Sequence, residues 1–526
     1  MVLESLPRCD VRVRIFPTAS HQTTDVVPST ESYLYRYSWD SEDLQSYPWS
    51  RHYVQAPEIL AYLNHVVDRH DLRQHMCLGT EMVSADWSDA EKRWSVQTAK
   101  GDIFLARYVV TALGLLSKQN FPAIPGLESF KGTLCHTASW PQPLDLRGKR
   151  VGVIGNGSTG VQIITAIAKD VRQLVCFQRS PQYSVPSGDG PVDPAYRKDI
   201  NERYDEVWTQ VKNSAVAFGF EESTIPTFSV SEAERQKVFE ENWQKGNGFR
   251  FMFGTFCDIA YDEAANKAAA DFIKSKIKAT VKDQDKAEKL LPAERYARRP
   301  LCDGGYYEQF NRENVDIVSL RETPISEVTS TGIRTSDGTL HELDVVIFAT
   351  GFDAVDGNYA RLAIKGRNGQ SLKEQWASTG PTSYLGVSVP NFPNLFMITG
   401  PNAPFTNVPP TIETHVEFIA DAIAAAEASR GSAAVVEATE DAEEEWTRLC
   451  DEVSANSLFR KVDSWIFGKN VPGKKNVIMF YFGGLGNYRK YLREVVGKEY
   501  KGFKPFVGEG REVEGEAQQS LVAPKI

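Results

Sequence analysis

Gly155-Asn156-Gly157-Ser158-Thr159-Gly160 has the G-x-G-x-x-G spacing. As a bare pattern it fits any tight turn. Here an apolar run, Lys149 to Ile154, precedes it, and a helical pattern, Val161 to Ala168, follows. A second apolar run, Leu174 to Phe177, closes a strand–helix–strand unit of about thirty residues. The first glycine permits the turn, the second lets backbone N–H groups approach a pyrophosphate, and the third lets helix and strand pack. The pyrophosphate then sits on a helix N-terminus. The second strand ends in Gln178-Arg179-Ser180, where an acid would bind a ribose hydroxyl. Arginine there suits a 2′-phosphate, because guanidinium pairs bidentately with phosphate, so this turn predicts NADP rather than NAD or FAD. A solvated surface arginine is the alternative.

These groups need a framework, and the chain is long enough to supply it. Its 526 residues correspond to roughly three domains, with 41% hydrophobic and 24% charged residues. A net charge of -10 without a long basic run argues against nucleic acid as a partner. No apolar run is long enough to span a membrane, and neither end reads as a targeting segment. The seven cysteines contain no C-x-x-C and read as free thiols in a reducing, cytoplasmic setting. His65, His70 and His75 are five apart, about 140° around a helix, and suggest no metal site. Ser158 follows a glycine of the dinucleotide turn and belongs to no G-x-S-x-G elbow.

Periodicity places a helix after Pro57 (Ile59, Tyr62, Leu63, Val66) and strands at Trp94–Thr98 and Tyr108–Gly114. Residues 195–297 are helical and charged, with helices expected over Ser231–Lys245 and Ala264–Leu291. Strands resume at Val315–Val318, Asp344–Gly351 and Asn394–Gly400, followed by an amphipathic helix carrying Val416, Ile419 and Ile423. The first thirty residues read as irregular, and the stretch from about Gly508 as a polar tail.

Just before the glycine turn lies Phe130-x-Gly132-x-x-x-His136-x-x-x-Trp140-Pro141. By residue type alone this is a linker with anchoring aromatics and a packed histidine. In this context it resembles the fingerprint of the Baeyer–Villiger monooxygenases, of the cyclohexanone monooxygenase type. Arg36–Asp40, Ala112–Ser117, Phe177–Ser180, Arg299–Tyr307, Ala349–Gly357, Gly400–Asn407, Ser464–Gly468 and Tyr500–Phe503 carry the same likeness, from Glu31 to about Phe506.

The resemblance implies an α/β fold of two nested Rossmann-like domains with a helical insertion, and FAD and NADP as cofactors. Its divisions would be an irregular 1–30, FAD domain 31–140 and 353–507, NADP domain 141–194 and 298–352, helical insertion 195–297, and tail 508–526. It implies that one oxygen of O2 is inserted beside a ketone carbonyl to give an ester or lactone. Arg299 would be the active-site arginine, stabilising an anionic flavin peroxide and the oxyanion of the ketone adduct. Arg298 stands where the family often has a lysine that reaches the 2′-phosphate. Trp465 would contact NADP, and Asn156, Ser158, Thr159, Val161 and Gln162 belong to the turn and helix start at the pyrophosphate. Arg8, Cys9, Asp10 and Val11 resemble the end of a flavin-binding region, with Asp10 orienting Arg299 and Tyr35 touching the flavin. Phe405, Thr406, Val408 and Phe480 would line the substrate pocket beside the flavin, with Val408 also contacting the cofactor. Alternatives are an N- or S-oxidising monooxygenase and a non-catalytic NADP-binding remnant.

The pattern breaks at the front. No G-x-G-x-x-G precedes Gly155, so the first FAD-binding βαβ unit, about thirty residues, is expected to be missing. Removing Arg12 to Thr30 (30 − 12 + 1 = 19 residues) restores the family's run. The expectation is a start placed too late, an intron read as coding, and poor FAD binding by the chain as written.

Overall fold

The computed structural model describes residues 29–471, 473–475 and 477–506. Arg8, Cys9, Asp10 and Val11, most of the irregular front and the tail lie outside them.

Helix α1, Ala56–Arg69, starts with proline in its first turn, where a missing N–H costs nothing, and buries Tyr62, Val66 and Val67. Strands β1 (Met82–Ser88), β2 (Arg93–Thr98) and β3 (Ile103–Ala106) form an antiparallel meander, and Ala363–Lys365 adds in parallel to β1. Strand β4 is only Val109–Thr111, because the chain turns at Gly114, whose φ is +73°. It pairs in parallel with Leu395–Met397. Its other edge has no partner among the described strands, and Val110 is 48% exposed there.

The second sheet has five parallel strands: β5 (Thr133–His136), β6 (Arg150–Ile154), β7 (Gln173–Gln178), β8 (Val315–Ser319) and β9 (Val345–Phe348), in the order β8-β7-β6-β9-β5. The apolar runs read from the sequence are its strands. Val151, Val153, Leu174, Phe177 and the whole of β9 are buried, as a sheet covered on both faces requires. Helix α2, Ser158–Ile167, crosses from β6 to β7 and buries Val161, Ile163, Ile164 and Ile167.

Between the paired strands Ser184–Pro186 and Leu301–Asp303 the chain makes its helical excursion. The helix expected over Ala264–Leu291 is two, Glu263–Thr280 and Gln284–Leu290. Val281 is extended, and Asp283 begins the second helix by accepting from the Lys286 N–H at 3.1 Å. The long helix α3, Val408–Arg430, buries Phe418, Ile419, Ala422 and Ala426, whereas Val416 is half exposed. The apolar stripe is therefore rotated from the one expected.

The helical excursion is tied to the first unit and roofs the space between the sheets. Arg250 pairs with Glu31 at 2.7 Å, Asn247 Nδ2 donates to Ser29 O at 2.9 Å, and Asn407 Nδ2 donates to Ala217 O at 2.9 Å. Two connections between the units run side by side: Asn120 N–H donates to Gly351 O, and Asp353 N–H to Lys118 O. His136, at the end of β5, holds them. Its Nδ1 accepts from Ala138 N–H, so Nε2 carries the proton and donates to Gly351 O at 3.1 Å. Burial lowers its pKa, so the ring stays neutral. His136 thus works as a linker clasp, the packed histidine its residue type suggested.

Candidate active site

The glycine turn has a separate reason for each glycine. Gly155 has φ +104°, and a Cβ there would lie 2.5 Å from Ala349 O. Gly160 lies against the same turn, where a Cβ would fall 2.2 Å from Gly155 O. Gly157 differs: nothing lies within 4 Å of its Cβ position, and it caps α2 with no side-chain hydrogen bond. The N–H groups of the first turn therefore face open space at the positive end of the helix, which suits a pyrophosphate.

In front of this turn lies a cavity of about 270 Å³, lined by Ser158, Thr159, Gln162, Tyr35, Arg299, Phe405, Thr406, Val408, Trp465 and Phe480. These residues come from five distant stretches of chain. Arg299 donates from Nη2 to Ser29 Oγ at 2.9 Å and from Nη1 to Pro300 O at 3.4 Å, and its guanidinium stands 5.4 Å from the Phe249 ring centre. Burial lowers its pKa, opposed by Cys302 and Tyr35. A guanidinium keeps its charge regardless, so a cation with spare donors faces an aromatic cavity. Burial raises the Tyr35 hydroxyl pKa, with Arg299 acting against it.

Not every expected residue reaches this space. The Val161 side chain is fully buried in the core, and its N–H bonds to Gly157 O, leaving no donor for a ligand. Asn156 is buried and donates to Gln178 Oε1 at 2.9 Å, joining the turn to the end of β7. Arg179, Ser180 and Arg298 do not line this cavity; they lie near one another around Arg321 and Glu294, with Ser180 Oγ accepting from Arg321 and Arg298 paired with Glu294. Cavity residues the sequence reading missed include Ser29, Thr30, Leu115, Val216, Phe218, Phe249, Phe253 and Thr399. Phe218, Phe249 and Phe253 sit on the helical excursion, where nothing in the sequence separates pocket aromatics from core aromatics.

The residues present fit NADP, with an open helix N-terminus at one end of its site and an arginine cluster at the other. They also fit the flavin end of FAD, where Tyr35, Arg299, Thr399 and Val408 line one cavity. Among the described residues there is no second glycine turn for the FAD pyrophosphate. No helix among them is long and apolar enough to cross a membrane.

A dinucleotide domain nested in a second α/β unit, with a cationic aromatic cavity between them, defines a flavin monooxygenase. The model of the flavin-binding monooxygenase-like family matches residues 40–187. The chain is 52% identical over 471 residues to a Baeyer–Villiger monooxygenase of Pseudooceanicola batsensis, covering 90% of this chain and 86% of that one. It is 50% identical over 474 residues to cyclohexanone 1,2-monooxygenase of an Acinetobacter species and, over the same length, to a phenazine N-monooxygenase of Lysobacter antibioticus, each match covering 90% of this chain and 87% of the relative. The solved structure of cyclohexanone monooxygenase from Rhodococcus sp. Phi1 bound to NADP+ superposes with a TM-score of 0.91, 55% identity and coverage of 93% of this chain and 92% of that one. The chain belongs to the Baeyer–Villiger monooxygenase family, and its cofactors are FAD and NADP.

Proposed function

We propose that the protein inserts one oxygen of O2 next to the carbonyl of a small cyclic ketone, giving a lactone, at the expense of NADPH. The observation that carries this reading is the convergence of Arg299, Tyr35, Thr159 and the aromatic wall on one cavity. When bound, FAD supplies the oxygen-transfer chemistry and NADPH the reducing equivalents. The chain's residues do the rest. Arg299 presents a fixed charge to the oxyanion that develops when the ketone carbonyl is attacked. Phe218, Phe249, Phe405 and Phe480 exclude water, which strengthens that charge. The first turn of α2, with Thr159 and Gln162, holds the pyrophosphate, while Arg179, Ser180 and Arg298 hold the 2′-phosphate and Trp465 covers the nicotinamide end. Asp10, outside the described residues, is assigned to orienting Arg299. The division into FAD, NADP and helical units follows the sequence boundaries given above, and the setting is cytoplasmic.

A second reading, oxidation of a ring nitrogen, is favoured by the identity to a phenazine N-monooxygenase. Incubation with NADPH, added FAD and O2, and separately with cyclohexanone, a thioether and a phenazine, distinguishes the two by mass spectrometry. Lactone formation coupled to NADPH loss is expected. An N-oxide with no lactone replaces the first reading by the second.

A further inference from the structure

Strands β7 and β8 are parallel neighbours, with Ser319 opposite Gln178, and Leu320 N–H donates to Gln178 O at 2.8 Å. This register carries the second residue beyond β8, Arg321, to the second residue beyond β7, Ser180. Its Nη2 donates to Ser180 Oγ at 2.9 Å. The carboxyl ends of adjacent parallel strands are where such sheets receive ligands. Arg179 is exposed on the same rim, and Arg298 reaches it from the other side, fixed by Nε donating to Asp463 O at 3.0 Å. Burial lowers the Arg298 pKa, and Arg179 and Arg321 push in the same direction, so three cations feel one another here.

One carboxylate relieves that repulsion. Glu294 bridges the pair, with Oε1 on Arg321 and Oε2 on Arg298. Its backbone is anchored by Tyr183, whose hydroxyl donates to Glu294 O at 2.7 Å. A carboxylate held between two guanidinium groups has the geometry a phosphate would take, with fewer acceptor oxygens and less charge. We infer that Arg321 is a third receptor for the cofactor's 2′-phosphate, with Arg179 and Arg298, and that Glu294 is a resident anion the phosphate must displace. Glu294 is partly exposed, so its ion pairs are weak enough to yield to a dianion. Only a cofactor bearing the phosphate must displace Glu294, so this carboxylate tempers the affinity that the three arginines supply.

This inference rests on reading Gly155–Gly160 as the NADP turn, and it is tested by binding alone. The full chain is titrated calorimetrically with 2′,5′-ADP and with 5′-AMP at low and at physiological salt. Arg321→Gln should weaken 2′,5′-ADP by about tenfold, the value of one charge-assisted hydrogen bond, and leave 5′-AMP unchanged. Glu294→Gln should tighten 2′,5′-ADP several-fold, a gain that loss of folding cannot produce. Unchanged 2′,5′-ADP affinity in Arg321→Gln, or equal loss for both ligands, overturns the role of Arg321. Weaker or unchanged binding in Glu294→Gln overturns the displaced anion. Failure of the unsubstituted chain to bind 2′,5′-ADP removes the NADP reading of the turn, and this inference with it.

Discussion

Lys474 Nζ stands 2.6 Å from Asp353 Oδ1, joining the segment that carries Trp465 to the connection leaving β9. Lys118 holds the other oxygen of the same carboxylate at 2.8 Å, and Lys474 also donates to Ala354 O at 2.9 Å. Burial opposes the Asp353 charge, yet the two lysines prevail and hold its pKa below the usual carboxylate value. A carboxylate depressed in this way keeps its contribution at neutral pH and loses it only as pH falls through the lowered value.

Lys474→Ala should therefore release this segment at neutral pH. Limited proteolysis between residues 464 and 478 should be faster, and NADP+ should bind several-fold more weakly, with little change in Tm. An unchanged cleavage pattern would show that Asn470, which donates to Phe352 O at 2.8 Å, is enough to hold it.

Gly157→Ala and Gly160→Ala should separate binding from stability. At Gly157 the added methyl meets no protein atom and the backbone is ordinary, so urea unfolding should be unchanged while NADP+ affinity falls steeply. At Gly160 the methyl strikes the Gly155 carbonyl, and overpacking should cost about 1–3 kcal/mol of stability. Equal stability losses in the two variants would contradict an open cradle at Gly157.

Arg299→Ala should lower the rate of lactone formation by on the order of 10²–10³, the usual effect of losing an oxyanion donor. NADP+ binding should persist through Arg179 and Arg298. Lysine at this position should restore only part of the rate, because a point charge replaces a planar fork. Undiminished lactone yield in Arg299→Ala would remove the role assigned to it.

His415 provides a pH test. Its Nδ1 accepts from Thr399 N–H at 3.0 Å, and burial pushes its pKa down to about 3. In the unfolded chain it titrates at the ordinary imidazole value of about 6.5. Between these values the unfolded state binds the extra proton, so stability falls as pH drops through the window. The slope approaches about 1.4 kcal/mol per pH unit. Glu443, whose pKa burial raises to about 7, acts in the opposite sense in the same window, so the slope is read as the difference in urea-unfolding stability between wild type and His415→Asn, which keeps an acceptor near Thr399, from pH 7 to pH 5. A wild-type slope that survives in the variant would place the acid sensitivity elsewhere.

Local pattern was enough to find the dinucleotide unit. A glycine turn between two apolar runs leaves few ways for a backbone to fold, so β6, α2 and β7 were legible directly. The helix expected over Ser231–Lys245, observed at Glu232–Lys245, and the proline at the start of α1 were legible for the same local reason. The stripe on α3 was misjudged because a helix shared by several neighbours is buried on more than one side. The break at Val281 was missed because propensity alone does not distinguish one long helix from two.

The sequence by itself determined a strand–turn–helix–strand unit with dinucleotide-binding spacing, and a resemblance to Baeyer–Villiger monooxygenases. Only the tertiary structure decided which residues meet. Phe249 and Arg299 are fifty residues apart in the sequence and 5.4 Å apart in space. Arg321 reaches Ser180 because β7 and β8 share a register, and Glu294 lies between two arginines because a helical excursion returns there. Spacing along a chain encodes neighbours within one element, through the periods of helix and strand. Contacts between elements depend on how sheets stack and where excursions are anchored, and no short run of residues carries that information.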